Sequence, residues 1–448
     1  MASTCERDRG DRIGKMTQRC PATARMPAPR VPSRRHLALS LMLLLGTMSV
    51  AIAAPVATPP APRLAEPQAK SLANEVAEVG TALVATGQVP ALAIAMVTSD
   101  EILLAEAFGE TAVGSGTGAD SQTVFRLASV SKTFTAALLS VLVEERYLRW
   151  STPLADYLPQ IRFQDPKLGE TLTLEQLLSH RTGLPHHTFD LRIEANEELH
   201  TLVDELYTVT PKCVPGDCYA YQNVAFTLAG VLAEAATGDF LDVLMARRLF
   251  VPLQMTDASV GREALLSAGS WSRPHVRRGG RWRAVEPLPT YYRLPAAAGV
   301  NASATDLAKW MQALLGARPE VLSDRARTQM AQTRIDTPTE IRGTGWRRKR
   351  LSQAGYGLGV RVFEYSGQQL VFHAGAVQGY RALLGVLPDS DFGVAIVWNS
   401  ESGLPAGLFP TILDRWLSLP PERWLDGKRF GHTALLQSSA PTTPRSSR

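Results

Sequence analysis

Hydrophobic and polar positions change period several times along the 448-residue chain. Residues 71–87 carry a helical period. Two apolar runs follow, ALAIAMVT (91–98) and EILLAEAFG (101–109), and Ser99-Asp100 between them predicts a β-hairpin. A polar Gly/Ser stretch then leads to Phe134, Ala137, Leu138, Val141 and Leu142, spaced i, i+3, i+4, i+7, i+8, which is the buried face of a helix. Residues 150–260 read mainly as helices and loops, with a short helix at LTLEQLLSH and a longer one in YQNVAFTLAGVLAEAAT. Residues 261–295 read as irregular, including the arginine-rich HVRRGGRWR. In ATDLAKWMQALLG (304–316), Leu307, Trp310, Met311 and Leu314 share one helical face and Gly316 ends it. Strand patterns return in YGLGVRVFEY, QLVFHAGA, YRALLGVLP and FGVAIVWN, and GLFPTILDRWLSL closes as a helix. Strands at both ends of the body and helices between them predict an α/β (α+β) fold. One antiparallel sheet is built from both ends of the chain, flanked by helices, with a mostly helical region inserted.

Composition is that of a globular protein, 45% hydrophobic and 20% charged. The net charge of +5 sits at one end. Residues 1–53 hold nine Lys/Arg and three acids, and the rest of the chain has 38 basic and 39 acidic residues, a net charge of −1. That balance offers no electrostatic case for nucleic-acid binding. RVPSRRH followed by LALSLMLLLGTMSVAIA has the layout of an export signal. Ala51-Ile52-Ala53 supplies the small-x-small pattern, so a cut is expected after Ala53 and the expected location is periplasmic or secreted. Membrane anchoring is expected only if the signal stays uncleaved, and a start at Met26 would give a signal of ordinary length. Residues 54–71 read as a Pro/Ala-rich linker, 72–420 as the folded domain and 431–448 as a disordered Ser/Thr/Pro-rich tail. Cys5 and Cys20 would leave with the signal. Cys213 and Cys218 remain in CVPGDC, where Pro215-Gly216 marks a turn. An oxidising compartment favours a disulfide there, and the other reading is two unpaired thiols. Two Cys are too few for a Cys-only zinc site, and no metal or cofactor is expected.

Three short patterns carry candidate chemistry. Ser129 and Lys132 lie three residues apart at the start of the apolar helix, so both fall near one side of its first turn. A serine hydroxyl needs a base to become a nucleophile, and a lysine whose pKa is lowered can be that base. The bland reading is an N-cap, with Ser131 as a neighbouring alternative. Of the chain's lysines, only Lys132 has a serine three positions before it. Tyr221-Gln222-Asn223 opens a helix: a phenol can move a proton and an amide can orient a carbonyl, while the bland reading is a packed Tyr with an Asn cap. His373-Ala374-Gly375 lies on a strand pattern, where Gly lets a substrate backbone approach the strand closely and a lone His is usually structural. There is no Gly-x-Ser-x-Gly, Gly-x-x-x-x-Gly-Lys, Gly-x-Gly-x-x-Gly or His-Glu-x-x-His. His186-His187 read as surface loop histidines and WRRKR (346–350) as a solvated basic loop.

Taken in order and spacing, these patterns resemble Ser-x-x-Lys, Tyr-x-Asn and Lys/His-x-Gly of the penicillin-recognising serine hydrolases: class C-type β-lactamases, DD-peptidases and related esterases. LTLEQLLSHRTGLP, GVNASATDLAKW, YGLGV and HAGAVQGY add to the likeness, which spans roughly residues 72–420. The resemblance implies an acyl-enzyme on Ser129 with Lys132 as base and Tyr221 sharing proton transfer. It implies Asn223 orienting the substrate and His373 in the place of the third-motif lysine. It also implies an oxyanion hole from the N–H groups of Ser129 and Ala376, just after Gly375. Its substrate would be a small molecule or peptide carrying an amide or ester. The alternative is a slow or inactive penicillin- or cell-wall-peptide-binding protein acting as sensor or scaffold. His373-Ala374-Gly375 departs from the Lys-Thr-Gly of true β-lactamases, which points away from β-lactams and towards esters or D-amino-acid peptides. Loops 185–215 and 261–295 are expected to border the cleft.

Overall fold

The structure, a computed structural model, describes residues 64–343 and 345–425. The expected signal, its cleavage site, the start of the linker and the 431–448 tail lie outside the described residues. The linker reading fails at its far end, because helix α1 runs Glu66–Ala85 with Pro67 in its first turn, where a missing N–H costs nothing.

Eight antiparallel strands form the main sheet: β1 Ala91–Val97, β2 Ile102–Gly109, β3 Ile335–Asp336, β4 Leu351–Tyr356, β5 Arg361–Tyr365, β6 Gln368–Val377, β7 Tyr380–Leu387 and β8 Phe392–Trp398. Their spatial order is β2-β1-β8-β7-β6-β5-β4-β3, so the first hairpin pairs with the last strand and both ends of the body meet in one sheet. Side chains alternate across it. On β1, Leu92, Ile94 and Met96 pack with α1 and with the closing helix Leu408–Trp416, while Ala93, Ala95 and Val97 face the other layer. That second layer holds α2 (Ser131–Glu144), α4 (Val224–Thr237) and α5 (Ala304–Leu315), between which lies the short α3 (Asp190–Glu194). The helix α5 starts on a Ser303/Asp306 capping box and ends at Gly316.

Three expectations change. YGLGVRVFEY is not one strand: it turns at Gly357-Leu358-Gly359 from β4 into β5. HVRRGGRWR is a two-stranded hairpin, His275–Arg278 with Arg281–Ala284, turning on Gly279-Gly280. WRRKR is a short helix, not a solvated loop, and pairs Arg347 with Glu340, Lys349 with Glu422 and Arg350 with Asp414. Of the three, only WRRKR takes its organising partners Glu422 and Asp414 from far along the chain; the other two are local hairpins.

Candidate active site

Ser129 does not sit inside the first turn of the α-helix. It occupies a 3-10 turn, Ala128–Val130, and α2 begins only at Ser131. Ala128, at φ +48°, holds a left-handed backbone that costs an L-residue about 1–2 kcal/mol. Neither the turn nor the helix start has a side-chain cap, so the N-cap reading of Ser129 falls away. Ser131 is fully buried, donates to Ala128 O (2.6 Å) and accepts from Val300 N–H (2.9 Å), which leaves it no freedom to attack a substrate.

Two close approaches hold the turn against the sheet. A Cβ on Gly375 would lie 2.1 Å from Leu127 O and 3.1 Å from Ser129 N, and a Cβ on Gly359 would lie 2.5 Å from Lys132 O. Gly375 therefore makes room for the chain's own nucleophile turn rather than for a substrate backbone. Gly375→Ala is expected to destabilise the fold by on the order of 3 kcal/mol through overpacking, read as a fall in thermal midpoint together with loss of Ser129 acylation. A variant with wild-type midpoint and acylation would contradict this account.

Lys132 is wholly buried. Its Nζ lies 2.8 Å from Asn223 Oδ1, 3.0 Å from Ala297 O and 3.4 Å from Ser129 Oγ. Burial pushes its pKa well below the lysine range; Asp190 opposes this and Arg361 adds to it. A neutral amine fits the partners: two hydrogens go to acceptor-only oxygens and the remaining tetrahedral position faces Ser129. Tyr221 is also buried, its ring 4.7 Å from Lys132 Nζ. Burial pushes its phenol up, against the hydrogen bond of Ser129, so it rests protonated. The site thus pairs an amine whose pKa burial lowers with a phenol whose pKa burial raises, the separation of roles that general base and general acid require.

Asn223 is the residue before α4, yet its side chain caps nothing there. Oδ1 goes to Lys132, and Nδ2 donates to both oxygens of Asp190 at 3.1 Å. Asp190 also accepts from His187 Nδ1–H at 2.6 Å. His186 Nδ1 accepts from Tyr221 N–H at 2.7 Å, and His187 N–H donates to Tyr221 O at 2.9 Å. Both histidines are exposed loop residues, and they also hold the backbone of Tyr221, His186 through its ring and His187 through its main-chain N–H; no metal-binding group of His, Cys, Asp or Glu occurs among the described residues. The cysteines are bridged, Cys213 to Cys218. Their loop is tied down by Lys212 N–H to Gly183 O and Gly216 N–H to Arg181 O, just before Tyr221.

His373 is not in the cleft. It is buried, with Nδ1 2.9 Å from Ala374 O and Nε2 3.1 Å from the Tyr356 hydroxyl. Because a carbonyl only accepts, Nδ1 carries the hydrogen and Nε2 accepts from Tyr356, which spends both nitrogens of a neutral ring. Burial first, then Arg361 and Lys132, push its pKa well below the histidine range. A cation in the place of a third-motif lysine is thus not supplied by His373. Two arginines line the cleft instead, Arg381 of β7 and Arg361 of β5, the latter ion-paired with Glu340. The cleft itself has a volume of about 700 Å³ and is bordered by Ser129, Tyr221, Asn223, Asp190, Arg361 and Ala376. His186, His187, Lys212 and Tyr291 also reach it, so both expected loop regions contribute. Sequence reading missed Asp190, Arg361 and Glu340, which share no motif with one another.

An antiparallel sheet with helices on both faces, and a Ser/Lys/Tyr/Asn cluster in the cleft at the end of strand β6, has the architecture of the penicillin-recognising serine hydrolases. The chain belongs to the Beta-lactamase family, whose family model matches residues 76–414. It is 27% identical over 371 residues to an unguisins hydrolase of Aspergillus violaceofuscus, covering 75% of this chain and 63% of that protein. The chain thus spans under two thirds of that relative's length. Among solved structures, the octameric penicillin-binding protein homologue from Pyrococcus abyssi aligns at TM-score 0.68 with 23% identity, over 79% of each chain. D-amino acid amidase from Ochrobactrum anthropi aligns at 0.61 with 22% identity, over 78% of this chain and 97% of that one. The family is one of serine hydrolases that includes amidases and esterases.

Proposed function

We propose that the protein is an exported serine hydrolase that cleaves an amide or ester through an acyl-enzyme on Ser129. The observation that carries this reading is Lys132: fully buried, with two hydrogen bonds on acceptor-only oxygens and its remaining position towards Ser129 Oγ. Lys132 Nζ takes the hydroxyl proton as Oγ attacks the acyl carbon. The N–H groups of Ser129 and Ala376 receive the oxyanion charge where it develops. Tyr221 gives its proton to the departing alcohol or amine and is refilled from the Lys132 ammonium. Water then attacks the ester on Ser129 with the same groups in reverse roles.

The absence of a charged His373 from the cleft supports a peptide, amide or ester substrate over a β-lactam. The unguisins hydrolase and the D-amino acid amidase that the chain resembles are in keeping with this. The test is intact-protein mass after separate exposure of residues 54–448 to a fluorophosphonate, a penicillin and a short p-nitrophenyl ester, with the adduct mapped by peptide fragmentation and turnover followed alongside. An adduct on Ser129 with ester turnover is expected. A lasting penicillin adduct without turnover of any substrate would favour a sensor or scaffold, and no adduct in folded protein would remove Ser129 as a nucleophile.

A further inference from the structure

The Lys132 base is one end of a hydrogen-bonded chain that reaches solvent. It runs from Lys132 Nζ to Asn223 Oδ1 (2.8 Å), from Asn223 Nδ2 to both Asp190 oxygens (3.1 Å), and from Asp190 Oδ2 to His187 Nδ1 (2.6 Å). His187 is half exposed, with 52% of its side chain open, whereas Lys132 is wholly buried. We propose that Asp190, gripped by His187, is a positioning residue that fixes which way the Asn223 amide faces, and thereby holds Lys132 in the state that can take the Ser129 proton. The proposal rests on the acyl-enzyme reading of Ser129 and adds to it the groups that keep the base ready.

The argument is one of donors and acceptors. A carboxylate only accepts, so Asp190 draws the NH₂ end of Asn223 and forces the carbonyl end towards Lys132. Ala297 O is likewise acceptor-only. With these two oxygens beside it, the amine spends two hydrogens on them and keeps its remaining valence for Ser129. If the Asn223 amide turned over, its N–H would compete for the lysine lone pair and the base would be blocked. No helix-capping bond fixes the orientation, so among the described contacts it is set by Asp190 on one side and the Lys132 amine hydrogen on the other. Asp190 is itself held, since its N–H bonds His187 O at 3.1 Å in the same turn whose side chain caps its carboxylate.

The carboxylate also acts through its charge. The charged and titratable groups facing Lys132 are Asp190 on α3, Arg361 on β5, His373 on β6, His180, and Tyr221 just ahead of α4; those facing Asp190 are Lys132, His187, His186, Tyr291 and Tyr221. Asp190 favours the ammonium form of Lys132, so removing its charge makes the amine lose its proton at lower pH.

The test is the pH profile of p-nitrophenyl ester hydrolysis by wild type, Asp190→Asn, Asp190→Glu and His187→Phe, with fluorophosphonate labelling of Ser129 measured in parallel. Asp190→Asn is expected to lower kcat by about 100-fold with a smaller change in KM, the scale of a misplaced catalytic group. Its acid limb is expected to move to lower pH. Asp190→Glu, which restores the charge, should bring the limb back and recover part of kcat. His187→Phe should give a smaller loss, roughly tenfold, and serves as the readout if Asp190→Asn does not fold. Wild-type kcat in folded Asp190→Asn would overturn the proposal. So would a loss with an unmoved acid limb and no recovery in Asp190→Glu, which is what a packing role alone produces. Absence of Ser129 labelling in folded wild type would instead sink the acyl-enzyme reading, and the proposal with it.

Discussion

Ser129→Ala is expected to lower ester turnover by roughly 10⁴- to 10⁶-fold, the scale seen when a serine nucleophile is removed from a working acid–base set. Two observations make so large a loss the expected one. The neighbouring serine cannot take over, because Ser131 is fully buried with its oxygen committed to Ala128 O and Val300 N–H. The fold should also survive, because Ser129 is half-buried, caps no helix end, and its side chain contacts only the active-site groups Lys132 and Tyr221. Loss of activity at unchanged thermal midpoint is therefore expected, with the fluorophosphonate adduct absent from the variant. Turnover within tenfold of wild type, in a folded variant, would place the chemistry on another group.

Most of the frame was legible in the chain because its signals are local. The 91–109 hairpin, the 304–316 helix with its terminal Gly316, and strands β6 to β8 each carry their own period or punctuation. Ser129, Lys132, Tyr221 and Asn223 were legible as motifs, and the structure brings them together, with Ser129, Tyr221 and Asn223 lining the cleft and Lys132 buried behind them. What could not be read was what each residue faces. His373 satisfies the strand pattern, but whether its ring meets the cleft or the Tyr356 hydroxyl depends on how β4 and β6 pack, and nothing within ten residues specifies that. The purpose of Gly375 was misread for the same reason, since the atom that comes close, Leu127 O, is 248 positions away. Asp190 and Arg361 are single charged residues in unremarkable surroundings, and only the fold converts them into partners of Lys132. The helix at Trp346–Arg350 shows the same limit, because a run of basic residues looks solvated until its acids, Glu340, Glu422 and Asp414, arrive from elsewhere.

Lys132→Met tests the base directly, and its expected effects on rate and on stability differ in kind. Turnover should fall by roughly 10³-fold or more, because the straight apolar chain fills the space but accepts no proton. The stability effect follows from linkage. In the unfolded chain lysine titrates near its ordinary value of 10.5, and in the folded protein burial holds Lys132 well below it. Between those two values the unfolded state binds a proton that the folded state does not, so wild type gains stability as pH rises and the gain ends near 10.5. Methionine does not titrate, and the groups that do not interact with Lys132 cancel in the comparison. The thermal midpoint of wild type minus that of Lys132→Met should therefore climb with pH through that window and flatten above it. The absolute offset matters less, because the variant also leaves Asn223 Oδ1 and Ala297 O without their donor, at about 1–3 kcal/mol for each buried group. Parallel curves would mean that Lys132 is an ammonium in the folded state. An ammonium has no lone pair for Ser129, and the proton would then have to leave the serine by way of Tyr221.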